Sequence, residues 1–112
     1  MSLSLERSEW FEADFELEFR WYLQHAGEKQ ATRFLNAVQS TLQLLLEQPN
    51  AGRPRGFRHP ALRDLRSARV QAPFRKLLIF YRTTPDSVQV WRLMHGARDL
   101  PHRLVEPPGP DR

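Results

Sequence analysis

Two apolar runs separated by a turn constrain the fold of this chain more than any other feature. The runs Lys76–Tyr81 and Val88–Met94 are rich in β-branched and aromatic residues, and Thr83–Ser87 between them reads Thr-Thr-Pro-Asp-Ser. Runs of this composition on either side of turn residues predict a β-hairpin. Because successive strand residues point to opposite faces, we expect Leu77, Ile79 and Tyr81 to share one face of the first strand, and Val88, Val90, Arg92 and Met94 to share one face of the second. Both faces of this hairpin are largely apolar. Apolar faces must be covered, and the simplest architecture packs helices on one face of the hairpin.

The chain before the hairpin predicts two helices. In Glu9–Ala26 the apolar residues recur at spacings of three and four, and Ser8 is placed to cap the first turn. Glu28–Glu47 shows the same period more cleanly, with polar residues on its opposite side, and Pro49 ends it. Since only Gly27 separates the two segments, we expect an antiparallel helical hairpin.

The remaining segments predict shorter elements. Alternation at Leu3 and Leu5 is a weak signal for a first strand, and Pro49–Pro60 is a loop by composition. Leu62–Gln71 alternates enough for a strand, and Leu100–Val105 predicts a short turn of helix. We therefore predict an α+β fold, with an N-terminal helical hairpin packed on one face of a three- to four-stranded antiparallel sheet.

Length and composition indicate one folded domain, which we place at residues 1–105, followed by a Pro-rich disordered tail at 106–112. The chain has no cysteine, which is compatible with a reducing compartment. Its N-terminus lacks the pattern of a signal peptide, and no apolar segment reaches the roughly 20 residues that span a bilayer. We expect a cytoplasmic protein that does not contact a membrane.

Positive charge is concentrated in the second half of the chain. Residues 1–50 contain four basic and eight acidic residues, a balance of −4, whereas residues 51–112 contain thirteen basic and five acidic residues, a balance of +8. Arginine supplies 15 of the 17 basic residues, and its planar fork suits carboxylates and phosphates. Two interpretations stay open: an ordinary basic surface, or a site for nucleic acid or an acidic protein segment.

Several local motifs occur in a characteristic order along the chain. They are Ala31–Phe34 (Ala-Thr-Arg-Phe), Pro49–Pro54 (Pro-Asn-Ala-Gly-Arg-Pro), Leu65-Arg66, Ile79–Arg82 (Ile-Phe-Tyr-Arg) and His95–Leu100 (His-Gly-Ala-Arg-Asp-Leu). Together they resemble the ParE/RelE superfamily, the toxins of bacterial type II toxin–antitoxin systems. The resemblance spans nearly the whole chain and leans to the ParE branch.

This resemblance implies a small α/β toxin and a cognate antitoxin whose C-terminal segment wraps it in a hetero-oligomer. For the ParE branch the implied target is DNA gyrase, and the toxin is then a protein-binding poison that is not an enzyme. For the RelE branch the implied activity is cleavage of mRNA on the ribosome. A third interpretation is a non-toxic relic that only binds its antitoxin.

We expect the partner to bind the sheet face opposite the helices, which a three-stranded meander would leave uncovered. The second half of the chain, with its +8 balance, suits an acidic, amphipathic antitoxin segment. The candidate partner-binding residues are Arg53, Arg55, Arg58, Arg66, Arg69 and Arg98.

An mRNA endonuclease needs a general base, a general acid and fixed positive charge around the phosphate. The candidates for these roles are Arg66, Arg69, Tyr81, Arg92, His95 and Arg98. On a regular strand Arg66 and Arg69 face opposite ways, and the sequence around them offers no obvious carboxylate base. A histidine at the end of a strand more often caps or hydrogen-bonds the turn that follows than transfers protons, so we interpret His95 first as a partner of the Gly96–Asp99 turn. His25, His59 and His102 lack metal-ligand spacing, so we predict neither a metal nor a cofactor.

Overall fold

A computed structural model describes residues 3–96 and 100–109 of the chain. Its elements in chain order are β1 (Ser4–Arg7), α1 (Glu9–Ala26), α2 (Glu28–Glu47), β2 (Arg53–Pro54), β3 (Arg66–Arg69), β4 (Leu77–Thr83), β5 (Ser87–His95) and α3 (Leu100–Leu104). A single 3-10 turn at Pro60–Leu62 lies in the loop between β2 and β3. None of the helices in these ranges is long and apolar enough to cross a membrane.

The five strands form one sheet in the order β1-β5-β4-β3-β2. Strands β2 to β5 pair antiparallel with their neighbours, whereas β1 pairs parallel with β5. The predicted α+β class, helical hairpin and β-hairpin are confirmed. The sheet differs in detail from the three- to four-stranded antiparallel prediction. The weakly predicted first strand, β1, is present but pairs parallel, and β2 is an additional edge strand in the segment predicted as a loop.

Ser8 joins the start of α1 to the sheet. Its hydroxyl oxygen accepts a hydrogen bond from the Phe11 backbone N–H at 2.9 Å, as an N-cap does, and its hydroxyl group donates to the Trp91 carbonyl oxygen at 2.6 Å. At the other end of α1, Gly27 adopts a φ of 90°, which side-chain-bearing residues rarely reach. One serine and one glycine therefore set the direction of the helical hairpin.

The main core lies between this helical hairpin and one face of the sheet. Aromatic and aliphatic residues from α1 and α2 meet inward-facing residues of β4 and β5. Its buried members include Phe11, Phe34, Val38, Leu42, Leu45, Leu77, Ile79, Tyr81, Val88, Val90 and Leu93. The predicted placement of Leu77, Ile79 and Tyr81 on one face of β4 is confirmed.

A β-bulge in β5 changes which of its residues face the helices. Tyr81 pairs with Val90 and Phe80 pairs with Arg92, so Trp91 is the extra residue on β5. Val90 and Leu93 consequently share the helix-facing side. The simple alternation that placed Val90, Arg92 and Met94 on one face is therefore wrong beyond the bulge.

The opposite face of the sheet carries a second apolar cluster. Leu62 and Leu65 from the loop before β3, and Leu100 and Leu104 from α3, pack on the sheet residues Leu78 and Phe80. The expectation that this face is left uncovered is wrong. Since Leu78 and Phe80 each have large apolar side chains to remove from water, the chain uses its own loop and its third helix to cover them. The arginines of β2 and β3 are left at the margin of this cover.

We expect Leu104→Ala to lower the free energy of unfolding by about 2–5 kcal/mol, because it removes a fully buried side chain from the second cluster. Leu44→Ala is the matched control, since Leu44 is an exposed helical leucine and its loss is expected to cost within about 0.5 kcal/mol. Urea denaturation measures both. Equal effects would show that α3 does not cover the sheet.

Candidate functional site

Three arginines lie on the sheet face opposite the helices. One belongs to β2, one to β3, and the third is Arg55, directly after β2. Arg53 pairs with Ser67, and Ser67 pairs with Phe80, so these three residues share one face. Arg69 lies two residues beyond Ser67 and Arg55 two residues beyond Arg53, which puts both on that same side. We call Arg53, Arg55 and Arg69 the arginine cluster.

Arg55 is the best-fixed member of the arginine cluster. Its Nη1 donates to the Ser67 hydroxyl oxygen at 3.2 Å, and its guanidinium carbon lies 5.5 Å from the ring centroid of Phe57 and 5.9 Å from that of Phe80. Partial burial, together with the nearby charges of Arg53 and Arg69, lowers the pKa of the Arg55 guanidinium. The three positive charges are therefore close enough to repel one another.

Two more of the candidate arginines, Arg66 and Arg69, bind backbone carbonyl oxygens. Arg69 donates to the Arg75 carbonyl oxygen at 2.8 Å, and Arg66 donates to the Gly52 carbonyl oxygen at 2.8 Å. Arg58 is exposed in the loop after β2. Within residues 3–96 and 100–109, no carboxylate lies within 4 Å of any arginine between positions 53 and 82. Among the residues that the structure describes, the positive charge of the arginine cluster therefore has no carboxylate partner.

Tyr81 holds the segment that precedes the arginine cluster. Its hydroxyl oxygen accepts from the Gly52 N–H and its hydroxyl group donates to the Pro49 carbonyl oxygen, each at 2.8 Å. A Cβ on Gly52 would overlap the Tyr81 side chain, so only glycine fits there. Burial raises the pKa of the Tyr81 hydroxyl. Tyr81, a predicted catalytic candidate, thus positions the chain just before Arg53.

Arg92 is buried in an ion pair with α1. Its Nε and Nη2 donate to the two carboxylate oxygens of Asp14 at 2.7 and 3.0 Å, and the Leu93 N–H donates to the same carboxylate at 3.0 Å. Burial raises the pKa of the Asp14 carboxyl, against the opposing effect of the Arg92 hydrogen bonds. Arg92 Nη1 also donates to the Glu106 carbonyl oxygen at 2.6 Å, so its donors are engaged inside the domain.

His95 lies beside a second carboxylate of α1. Its Nε2 is 3.4 Å from Glu18 Oε1, and Glu18 follows Asp14 by one helical turn. Both residues border a cavity of about 330 Å³ that also contacts Trp21, Arg103 and the C-terminal segment. The carboxylate beside His95 belongs to Glu18 of α1, which is distant in sequence, so the residues around His95 could not predict it. The available signal was that Asp14 and Glu18 fall beside the apolar stripe of that helix.

The structure separates the predicted residues into two sites. Arg66 and Arg69 face opposite sides of β3, as predicted, because they pair with Tyr81 and Leu78 respectively. His95 and Arg92 lie across β4 from them, on the strand next to α1. Arg98 lies outside the described residues. The part of the chain that the structure describes contains no group of three His, Asp or Glu residues suited to a metal ion.

The predicted tail begins at Glu106, whose carbonyl oxygen is held by Arg92, and the next residues line the same cavity. Residues 110–112 lie outside the described residues. The boundary between the domain and a disordered tail stays a prediction.

The chain matches the model of one protein family over most of its length. The model of the ParE toxin of type II toxin-antitoxin system, parDE, matches residues 5–100. Among curated protein sequences, none matches the chain significantly.

Two solved structures of toxin–antitoxin systems share the fold. A chain of the chromosomal ParDE system from P. aeruginosa aligns with a TM-score of 0.67 and 17% identity, covering 83% of this chain and 95% of that one. A chain of the E. coli DinJ-YafQ toxin-antitoxin complex aligns with a TM-score of 0.60 and 14% identity, covering 89% and 99%. At these identities the likeness is one of fold.

We expect Gly52→Ala to lower the free energy of unfolding by about 1–3 kcal/mol, because the added methyl group displaces the Tyr81 hydroxyl from its two partners. Gly109→Ala is the control, since nothing lies within 4 Å of its added Cβ. Chemical denaturation distinguishes the two variants. A Gly52→Ala protein as stable as the wild type would remove Tyr81 as the residue that holds this segment.

Arg92→Gln leaves Asp14 buried without its counter-ion, so we expect a loss of about 3–5 kcal/mol in the free energy of unfolding. Arg20→Gln breaks the exposed pair with Glu16 and is expected to cost at most about 1 kcal/mol. Urea titrations of both variants give the comparison. Similar losses would mean that the buried pair stabilises the fold no more than a surface pair.

Proposed function

The chain belongs to the ParE toxin family of type II toxin–antitoxin systems, and from this membership we propose that it arrests bacterial growth by binding DNA gyrase. It acts in the cytoplasm, and a cognate antitoxin neutralises it by binding its surface. The observation that carries this proposal is the family match over residues 5–100, which includes both the helical hairpin and the sheet.

The charge distribution supports an antitoxin with an acidic, amphipathic segment. Residues 51–112 have a balance of +8, and the arginine cluster has no carboxylate within ion-pair distance among the described residues. The half-buried ring of Phe57 lies beside this charge, and the fully buried ring of Phe80 lies next to it in the second apolar cluster. A segment that combines acidic and apolar side chains matches both properties of the surface.

The positions of the candidate catalytic residues favour a protein-binding toxin over an enzyme. Arg66 and Arg69 face opposite sides of β3, and the donors of Arg92 are occupied by Asp14 and by backbone carbonyls. A phosphoryl transition state needs several cationic groups aimed at one point. These arginines do not provide such a point.

One observation favours the alternative of a ribosome-dependent mRNA endonuclease. The Glu18 carboxylate lies 3.4 Å from the His95 imidazole at the mouth of a cavity, an arrangement in which a carboxylate can orient a histidine for proton transfer. We rank it second because the arginine cluster lies on the far side of β4 from this pair. The third possibility is a relic that binds the antitoxin without toxicity.

We expect expression of the chain alone to arrest growth of a bacterial host, and co-expression with the product of an adjoining antitoxin gene to restore it. Purified toxin is expected to inhibit supercoiling by purified gyrase, which a gel assay of plasmid topology measures. Complete supercoiling at excess toxin would exclude this target. A chain that causes no arrest would be the antitoxin-binding relic.

His95→Ala separates the gyrase poison from the endonuclease. The poison is expected to keep its growth arrest in this variant, whereas an endonuclease that uses His95 for proton transfer would lose it. His102→Ala, which removes an exposed histidine paired with Glu106, is the matched control. Primer extension on translated mRNA in the same cells reports cleavage. Cuts that disappear only in His95→Ala would establish the endonuclease, provided circular dichroism shows that both variants fold.

A further inference from the structure

The arginine cluster places three arginine side chains at neighbouring positions on one face of the sheet. Arg53 lies directly opposite Ser67 in the register, Arg69 follows Ser67 by two residues, and Arg55 donates to the Ser67 hydroxyl. Directly opposite strand residues have Cβ atoms about 5 Å apart, and neighbours two along on one face lie about 7 Å apart. The three side chains therefore start from within reach of a single small anion.

These groups retain most of their hydrogen-bonding capacity. A guanidinium offers five N–H donors, and the hydrogen bonds within the described residues use one nitrogen of Arg55 and one of Arg69. No described carboxylate lies within 4 Å of any of the three. An oxyanion placed among them would gain several charge-assisted hydrogen bonds and would relieve the mutual repulsion of the arginines.

Arg55 is held in a fixed orientation before any ligand arrives. Its guanidinium lies beside the neighbouring rings of Phe57 and Phe80, and the buried Ser67 hydroxyl accepts one of its N–H groups. A side chain ordered in this way loses less conformational entropy on binding than a free surface arginine does. The site is thus built around Arg55, with Arg53 and Arg69 beside it.

We propose that Arg53, Arg55 and Arg69 form a carboxylate-binding site that receives an aspartate or glutamate side chain of the antitoxin. This inference rests on the proposed function and adds the point of attachment. It assigns the central role to Arg55 and leaves Arg58 and Arg66 outside the site.

Two features favour a protein carboxylate over a nucleic-acid phosphate. The site borders the half-buried ring of Phe57 at the margin of the second apolar cluster, which suits a peptide with an acidic residue next to an apolar one. The first 50 residues carry a balance of −4, so an extended polyanion that reached beyond the cluster would be repelled by the acidic α1. A short acidic segment touches only the basic side of the molecule.

The test uses the full chain and two probes of equal charge. One is a synthetic peptide of glutamate and leucine in a helical pattern, and the other is a single-stranded oligonucleotide, each followed by fluorescence anisotropy. We expect Arg55→Lys, which keeps the charge but loses the planar fork, to weaken peptide binding roughly tenfold. Arg33→Lys, on the exposed side of α2, is the matched control and is expected to leave binding unchanged.

Arg69→Lys provides a second variant in case Arg55→Lys does not fold, and thermal unfolding monitors both. Equal binding by the wild type and both variants would overturn the site, as would an oligonucleotide that binds as tightly as the peptide. Growth arrest by the wild type with no effect of Arg55→Lys on peptide binding would reject the site and retain the proposed function. Loss of peptide binding in a chain that does not arrest growth would retain the site and reject the function.

Discussion

The ion pair between Asp14 and Arg92 connects three parts of the chain that are distant in sequence. The carboxylate belongs to α1, the guanidinium to β5, and the guanidinium also binds the carbonyl oxygens of Leu104, at the end of α3, and of Glu106 after it. Asp14 also accepts a hydrogen bond from the Leu93 N–H. This part of β5 extends beyond its pairing with β1, which stops at Val90, so Asp14 binds a backbone donor that β1 does not reach. Burying two charges is costly, so the pair contributes mainly by fixing how these elements meet. Together with the hydrogen bond from the Ser8 hydroxyl to the Trp91 carbonyl oxygen, it holds α1 along this edge of β5.

The apolar character of both faces of the central hairpin explains the rest of the architecture. The helical hairpin covers one face, and the loop before β3 and α3 cover the other, so both covering layers pack on β4 and β5. A surface for a partner is therefore confined to the margin of the sheet. At that margin, β2 and β3 carry arginines whose guanidinium groups bind carbonyls or aromatic rings and keep their charge available.

Local patterns predicted the elements, and long-range contacts determined what the patterns could not. The spacing of apolar residues gave both helices and the hairpin, and strand alternation placed Arg66 and Arg69 on opposite faces. The bulge at Trp91 was not predictable, because an extra residue in a strand leaves the composition unchanged and is specified by the pairing with β4. The partners of Arg92 and His95 come from α1, 78 residues before Arg92, and only the acidic residues beside an apolar stripe pointed to them.

The parallel pairing of β1 with β5 has a consequence for how the protein is made. Ser4 lies opposite Ser87, so β1 finds its neighbour only after both long helices, β3 and β4 have been synthesised. The helical hairpin likewise depends on β4 and β5 for the surface that it buries. Folding is therefore governed by contacts between segments that are distant in sequence, which is the regime of slower folding. A nascent chain that ends before β5 lacks the strand that joins β1 and α1 to the rest of the sheet.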